Sequence, residues 1–296
     1  MEELLTLTKS LVPEQKIVLQ TVLNFAKTTL QCRNSKLARD SPHQLGLIVH
    51  GGGGVGKSAT IKVCSQWVEH ILRRAGDDRQ KPRILLLCPT GMASSVIDGM
   101  TICSALDHSF GHTYRPLSDS KMAFFRKEFE ELKLIIIDEM SMVSADDLYK
   151  IHHRLCDIFN TNLPFGGLGM MFVGDILQLK PVKGRFIFES PKDQAHAIHF
   201  EERSLWHNLE AVSLKHNHRQ GNDSMWTQTL NRLRIGEPTD EDVALLKTRC
   251  IEIMSKHYPH DACHLSFTRK EFSDHNDQKQ IIHQRFLVME LLTIQI

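Results

Sequence analysis

The segment Gly51-Gly52-Gly53-Gly54-Val55-Gly56-Lys57-Ser58 satisfies the pattern G-x-x-x-x-G-K-[ST] and carries the most specific chemistry in the chain. Glycines let the backbone curl until its N–H groups point inward at phosphate oxygens, and a helix starting near Lys57 adds its positive end. Lys57 would then reach the β- and γ-phosphates, and the Ser58 hydroxyl would bind Mg²⁺. Gly51, Gly54, Val55, Gly56, Lys57 and Ser58 are the nucleotide-binding residues this loop implies. Asp138-Glu139 supplies the complementary charge. Asp138 can hold Mg²⁺ through water opposite Ser58, and Glu139 can orient or deprotonate an attacking water. Gln178, in GDILQLKP, can hydrogen-bond the γ-phosphate or that water. Gln15, close after Pro13, offers the donor and acceptor that an adenine edge requires. Alone, Gln178 also fits an ordinary strand-to-loop turn, and Gln15 a plain surface residue.

These residues need a frame that brings them together. Four short apolar runs precede them: Leu47-Ile48-Val49, Ile84-Leu85-Leu86-Leu87, Leu134-Ile135-Ile136-Ile137 and Met170-Met171-Phe172-Val173. Each is apolar on both faces and ends in polar residues, as strands of a parallel sheet covered by helices on both sides do. Ligands on such sheets bind at the carboxyl ends of the strands. The expected fold is therefore α/β, a phosphate-loop NTPase with a parallel sheet flanked by helices. An N-terminal helix is expected from about Pro13, a residue suited to a first turn. The polar stretches 33–44 and 77–82 and the glycine-rich 161–169 are expected as loops. After about residue 212 a new block begins, with a strand at Ala211–Leu214 and helices at Met225–Ile235 and Glu241–Arg249.

Of 296 residues, 41% are hydrophobic and 24% charged, which supplies a real core and excludes a wholly disordered chain. Thirty-six Lys and Arg against 35 Asp and Glu leave a formal charge of +1, so this is no histone-like polycation. Any nucleic-acid binding must come from a local groove. Seven scattered cysteines without a C-x-x-C pair suggest neither a disulfide framework nor a cysteine zinc site, and fit a reducing compartment. With no signal segment at MEELLTLTKS and no membrane-length apolar run, a soluble intracellular protein is expected.

Gln15, GGGGVGKS, CPTGMAS, IIIDEMSMV and GDILQLKPV occur in the order and spacing of the Pif-type superfamily-one DNA helicases, relatives of RecD. The resemblance runs from about Leu11 to Asn276. It implies two RecA-like domains closing on ATP and Mg²⁺ (1–211, with the adenine-recognition helix, and a partial second domain, 212–296). It implies ATP-driven 5′-to-3′ movement on single-stranded DNA and duplex/single-strand junctions. Repair, recombination and telomere maintenance, in the nucleus or the mitochondrion, would be the setting. Thr90, Gly91 and Ala93 resemble the family's loop on the DNA backbone, where a hydroxyl and N–H groups bind phosphates without reading sequence. Thr101 belongs to a second DNA-contacting element, whose usual histidine is Cys103 here. His108 follows it, and so does Phe110, which can stack on a base or serve the core. LKHNHRQ resembles the motif opening the second domain, with Arg219 as an arginine finger across the cleft.

The sequence departs from the family late in the chain. A T-x-x-x-x-Q-G-like element and a later element with a second arginine are absent, and the apolar stretch Ile281–Ile296 is unfamiliar. The expectation is a shortened product with a complete first domain: ATP and Mg²⁺ binding retained, hydrolysis slow, unwinding impaired. A non-translocating ATP- and single-strand-binding fragment is the second reading. A small-molecule kinase or GTPase is the third. Glu139, Gln178 and the lack of an N-K-x-D guanine motif disfavour it.

Overall fold

The computed structural model describes residues 1–34, 44–108, 113–192, 204–219, 223–251, 265, 268–271 and 273–277. Its elements run α1 (Glu2–Ser10), α2 (Pro13–Asn34), β1 (Gly46–Gly51), α3 (Lys57–Leu72), β2 (Ile84–Cys88), α4 (Gly91–Val96), β3 (Met100–Thr101) and α5 (Ile102–Leu106). They continue with α6 (Asp119–Glu128), β4 (Leu134–Ile137), α7 (Ala145–Phe159), β5 (Gly169–Gly174), β6 (Glu210–Leu214), α8 (Ser224–Ile235) and α9 (Asp240–Lys247).

Among the described residues, six strands form one parallel sheet in the order β3-β2-β4-β5-β1-β6. The four apolar runs are its contiguous centre. Every residue of β4 and β5 is buried, as strands covered on both faces must be. Because side chains alternate along a strand, the runs divide between two cores. Leu47, Val49, Leu134, Ile136, Met171 and Val173 pack with α1, α2 and α3, while Ile48, Ile135, Ile137, Met170 and Phe172 pack with α5, α6 and α7.

The division expected between 211 and 212 falls inside β6, which pairs with β1 from Leu47↔Glu210 to Gly51↔Leu214. The compact unit runs Met1–Pro238, and a second comprises Thr239–Ile296. A strand of only five residues cannot hold a sheet alone, and β1 offers it a free edge. In the second unit a capping box joins Thr239 and Asp242 at the start of α9. The stretch Ile281–Ile296 lies outside the described residues.

Candidate nucleotide site at the strand tips

The glycine loop leaves β1 at Gly51 and enters α3 at Lys57. Gly54 has φ +83°, and a Cβ there would stand 2.6 Å from that of Arg219, so backbone conformation and close approach both require glycine. Gly56, at φ +80°, caps α3, and any side chain there would meet the Gln15 amide. Val55 is buried in the core on the α3 side of the sheet. Lys57 Nζ folds back onto the carbonyls of Gly51 and Gly52, at 3.0 and 2.9 Å. Burial lowers its pKa, against the opposing pull of Glu139, Asp138 and Asp175. Three carboxylates from two neighbouring strand tips thus surround one ammonium. Ser58 stands exposed in the first turn of α3.

Asp138, just past β4, is buried, and its Oδ1 accepts the Glu139 N–H at 2.9 Å. Burial pushes its carboxyl up to about 6, despite that hydrogen bond and nearby Lys57. An acid that is costly to ionise in this setting gains from a cation placed against it, which suits a metal-holding role. Glu139 is held at φ +54°, a left-handed conformation that non-glycine residues seldom adopt. Gln178 is exposed on the turn after β5.

Gln15 reaches the loop from the start of α2. Its Oε1 accepts the Val12 N–H at 3.0 Å, and its Nε2 donates to the carbonyls of Val55 and Gly56 at 3.2 and 3.4 Å. One carboxamide therefore closes the N-terminus of α2 and fastens it to the phosphate loop. Arg219 also reaches the loop, but from the end of β6 inside the same compact unit, not across a cleft from a second domain. Asn217 Nδ2 donates to the Gly53 carbonyl at 3.1 Å, the His218 N–H to that of Gly54 at 2.8 Å, and Asn217 Oδ1 accepts the Arg219 N–H at 2.8 Å. These bonds hold the 217–219 loop because β6 and β1 are hydrogen-bonded neighbours that end side by side.

The expected DNA contacts gather at the other edge of the sheet, with two exceptions. Thr90 caps α4, its hydroxyl accepting the Ala93 N–H at 3.3 Å, and Gly91 begins that helix exposed. Thr101, paired with Cys88 across β3 and β2, caps α5 through the Ser104 N–H at 3.1 Å. His108 turns inward instead. It is buried, with Nε2 3.4 Å from Asp147 Oδ1 beside Lys150 on α7, because a buried carboxylate needs a donor more than a solvent-facing strand needs an imidazole. Phe110 lies outside the described residues.

Asp175, Arg234 and His50 form a further cluster at the strand tips that no sequence motif brings together. Arg234 binds Asp175 with both arms of its guanidinium, at 2.6 and 2.7 Å, and approaches His50 Nε2 to 3.1 Å. Asp175 carried the one available signal, a polar residue at a strand tip. Arg234 lies in an unremarkable helix 59 residues later, with no local mark.

The profile of the PIF1-like helicase family matches residues 10–235, most of the chain. The chain belongs to the PIF1-like helicase family. Among relatives, the "ATP-dependent DNA helicase PIF1" of Candida albicans is 28% identical over 203 residues, covering 66% of this chain and 21% of that protein. The PIF1 of Danio rerio is 28% identical over 261 residues, covering 82% of this chain and 36% of that protein. The crystal structure of the Candida albicans Pif1 helicase matches with a TM-score of 0.66 at 23% identity, covering 91% of this chain and 54% of that one. A Bacteroides Pif1 helicase "in complex with ADP-AlF3 and ssDNA" matches with a TM-score of 0.59 at 23% identity, covering 85% of this chain and 56% of that one. The PIF1-like chain spans about a fifth of the Candida albicans relative's length. The resemblance read from the motifs is thus shown, and the structural likeness gives the RecA-like fold.

Proposed function

We propose that this PIF1-like chain binds ATP with Mg²⁺, hydrolyses it, and uses the cycle to move 5′-to-3′ along single-stranded DNA and open duplex/single-strand junctions. The observation that carries the reading is the gathering of Lys57, Asp138, Glu139 and Asp175 at adjacent strand tips, with the Arg219 loop fastened to the same glycine loop. Gly51, Gly54, Val55 and Gly56 shape the phosphate cradle, and Lys57 leaves the carbonyls of Gly51 and Gly52 for the β- and γ-phosphates. Ser58 and Asp138 would hold Mg²⁺, which when bound neutralises charge on the phosphate oxygens. Glu139 takes the proton of the attacking water, Gln178 senses the γ-phosphate, and Arg219 stabilises the charge that develops there. Gln15 keeps one lone pair on Oε1 for the adenine amino group while fixing the loop behind it.

Thr90, Gly91, Ala93 and Thr101 would meet strand phosphates through hydroxyl and N–H groups, a contact that positions DNA without reading its sequence. The DNA named with the Bacteroides neighbour supports this partner. Genome maintenance (repair, recombination, telomere maintenance) follows as the setting, in the nucleus or the mitochondrion.

The test is ATP hydrolysis with and without single-stranded DNA, together with strand separation on duplexes carrying a 5′ or a 3′ tail. Stimulation by DNA and separation from the 5′ tail alone are expected. Separation from the 3′ tail would reverse the polarity. Stimulation with no separation would reduce the function to ATP and strand binding. In the same assay Glu139→Gln should still bind ATP but hydrolyse it about 100-fold or more slowly. A full-rate variant would show that another group handles the water.

A further inference from the structure

Asp175 directly follows β5 and is 1% exposed. Burial alone would raise its pKa, but the Arg234 fork and the Leu177 N–H outweigh burial and leave it below the ordinary carboxylate value. Arg234 reaches it from α8, with Nε 2.7 Å from Oδ2 and Nη2 2.6 Å from Oδ1. Such two-pronged pairing fixes direction as well as charge, and a lysine cannot reproduce it. The same Nη2 lies 3.1 Å from His50 Nε2 on β1, beside the glycine loop.

The three residues after Asp175 are met by it and by His50. The Ile176 N–H donates to His50 Nδ1 at 3.3 Å, the Leu177 N–H to Asp175 Oδ1 at 3.1 Å, and the Gln178 N–H to the Asp175 carbonyl at 3.0 Å. The amides of 177 and 178 are therefore met by Asp175, which Arg234 holds. A neutral imidazole accepts at one nitrogen only, so Ile176 and Arg234 compete for His50, and the part of the turn that Arg234 braces is the part that Asp175 holds.

We infer that Arg234 is a positioning residue: by clamping Asp175 it sets the 177–178 turn that presents Gln178 to the nucleotide, and ties that turn to α8. Arg234 lines one cleft with the glycine loop and Arg219, and a Cβ on Gly52 would lie 3.7 Å from Arg234 Nε. What Gln178 meets rests on the proposed ATP chemistry; how Arg234 holds the turn does not.

Hydrogen exchange tests the second part directly. In Arg234→Ala, exchange at Leu177 and Gln178 should quicken about tenfold, the loss of roughly one hydrogen bond, while amides of α2 and β4 keep their protection. Arg234→Lys should fall between Ala and the parent, and it carries the same measurement should the alanine variant fail to fold. Single-turnover hydrolysis tests the first part. Arg234→Ala should slow the chemical step while leaving ATP affinity within about threefold, and Arg234→Ala/Gln178→Ala should be no slower than Gln178→Ala alone. Unchanged exchange at Leu177 and Gln178, or losses that multiply in the double variant, would overturn the inference. Were the parent protein to lack ATP hydrolysis, the proposed function would fall, and the exchange measurement would still decide the role of Arg234.

Discussion

The two ends of the sheet's upper rim are built on different physics. Around β1, β4, β5 and β6, charged groups are buried or half-buried: Lys57 is held by loop carbonyls, Asp175 by Arg234, Asp138 by little more than an N–H. Around β2 and β3 the polar groups are neutral hydroxyls already serving as helix caps, set among exposed apolar side chains such as Met92, Val96 and Met100. The first region concentrates a field, as catalysis on a triphosphate demands. The second offers replaceable hydrogen bonds and open surface, which suits a partner that must be gripped and released. Charge placed where water is scarce makes an interaction strong; a cap on the surface makes it adjustable.

The largest effect that would sharpen this contrast is Lys57→Ala, which should abolish measurable ATP hydrolysis with or without DNA. Surviving activity would mean that the buried charges are structural. Arg219→Ala should come next, lowering turnover on the order of 1,000-fold while changing ATP affinity far less; untouched turnover would show that the 217–219 loop only braces the glycines.

At the other edge, Thr90→Ala and Thr101→Ala should each cost about 1 kcal/mol of capping and weaken single-strand affinity only severalfold. The slope of affinity against salt concentration should hold, because no charge is removed. A steeper loss in DNA-free hydrolysis than in DNA binding would break the comparison.

On stability in the absence of metal, Asp138→Asn should act with the opposite sign. The folded-state pKa of Asp138, about 6, lies above the ordinary 3.8. The protonated form therefore favours the fold at low pH, and that contribution is lost as pH rises through about 6. At about 1.4 kcal/mol per unit the ionised carboxylate costs at most ~3 kcal/mol, less where water reaches it. The metal-free Asn variant should melt a few degrees higher than the parent at pH 8, roughly 2–4 °C per kcal/mol, and the gain should vanish near pH 4. Calorimetry in the presence of a chelator reads this, and an unchanged melting temperature at pH 8 would show that the ionised carboxylate carries no such cost.

Much of the frame is written locally. Leu134–Ile137 and Met170–Val173 are apolar on both faces and could be little else than central strands, and the spacing from Gly51 to Ser58 dictates a phosphate loop. Helices at Ser224–Ile235 and Asp240–Lys247 also fall where their apolar spacing places them. The two-residue β3 and the membership of β6 were not legible, since an edge strand so short is defined by its partner and not by its own pattern. His108 misled for the same reason: its neighbours in sequence suggest a surface element, and only Asp147, on α7, draws it inward.

Sequence alone determined which residues can touch a phosphate, because glycine's conformational freedom and a lysine's reach are properties of the residues themselves. The packed fold decided how those residues are braced. Gln15 with Val55, Asn217 with Gly53 and Arg234 with Asp175 are joined across 40, 164 and 59 positions of chain. Such pairs form only after the strands take their order and burial makes an unmet polar group too costly to leave alone.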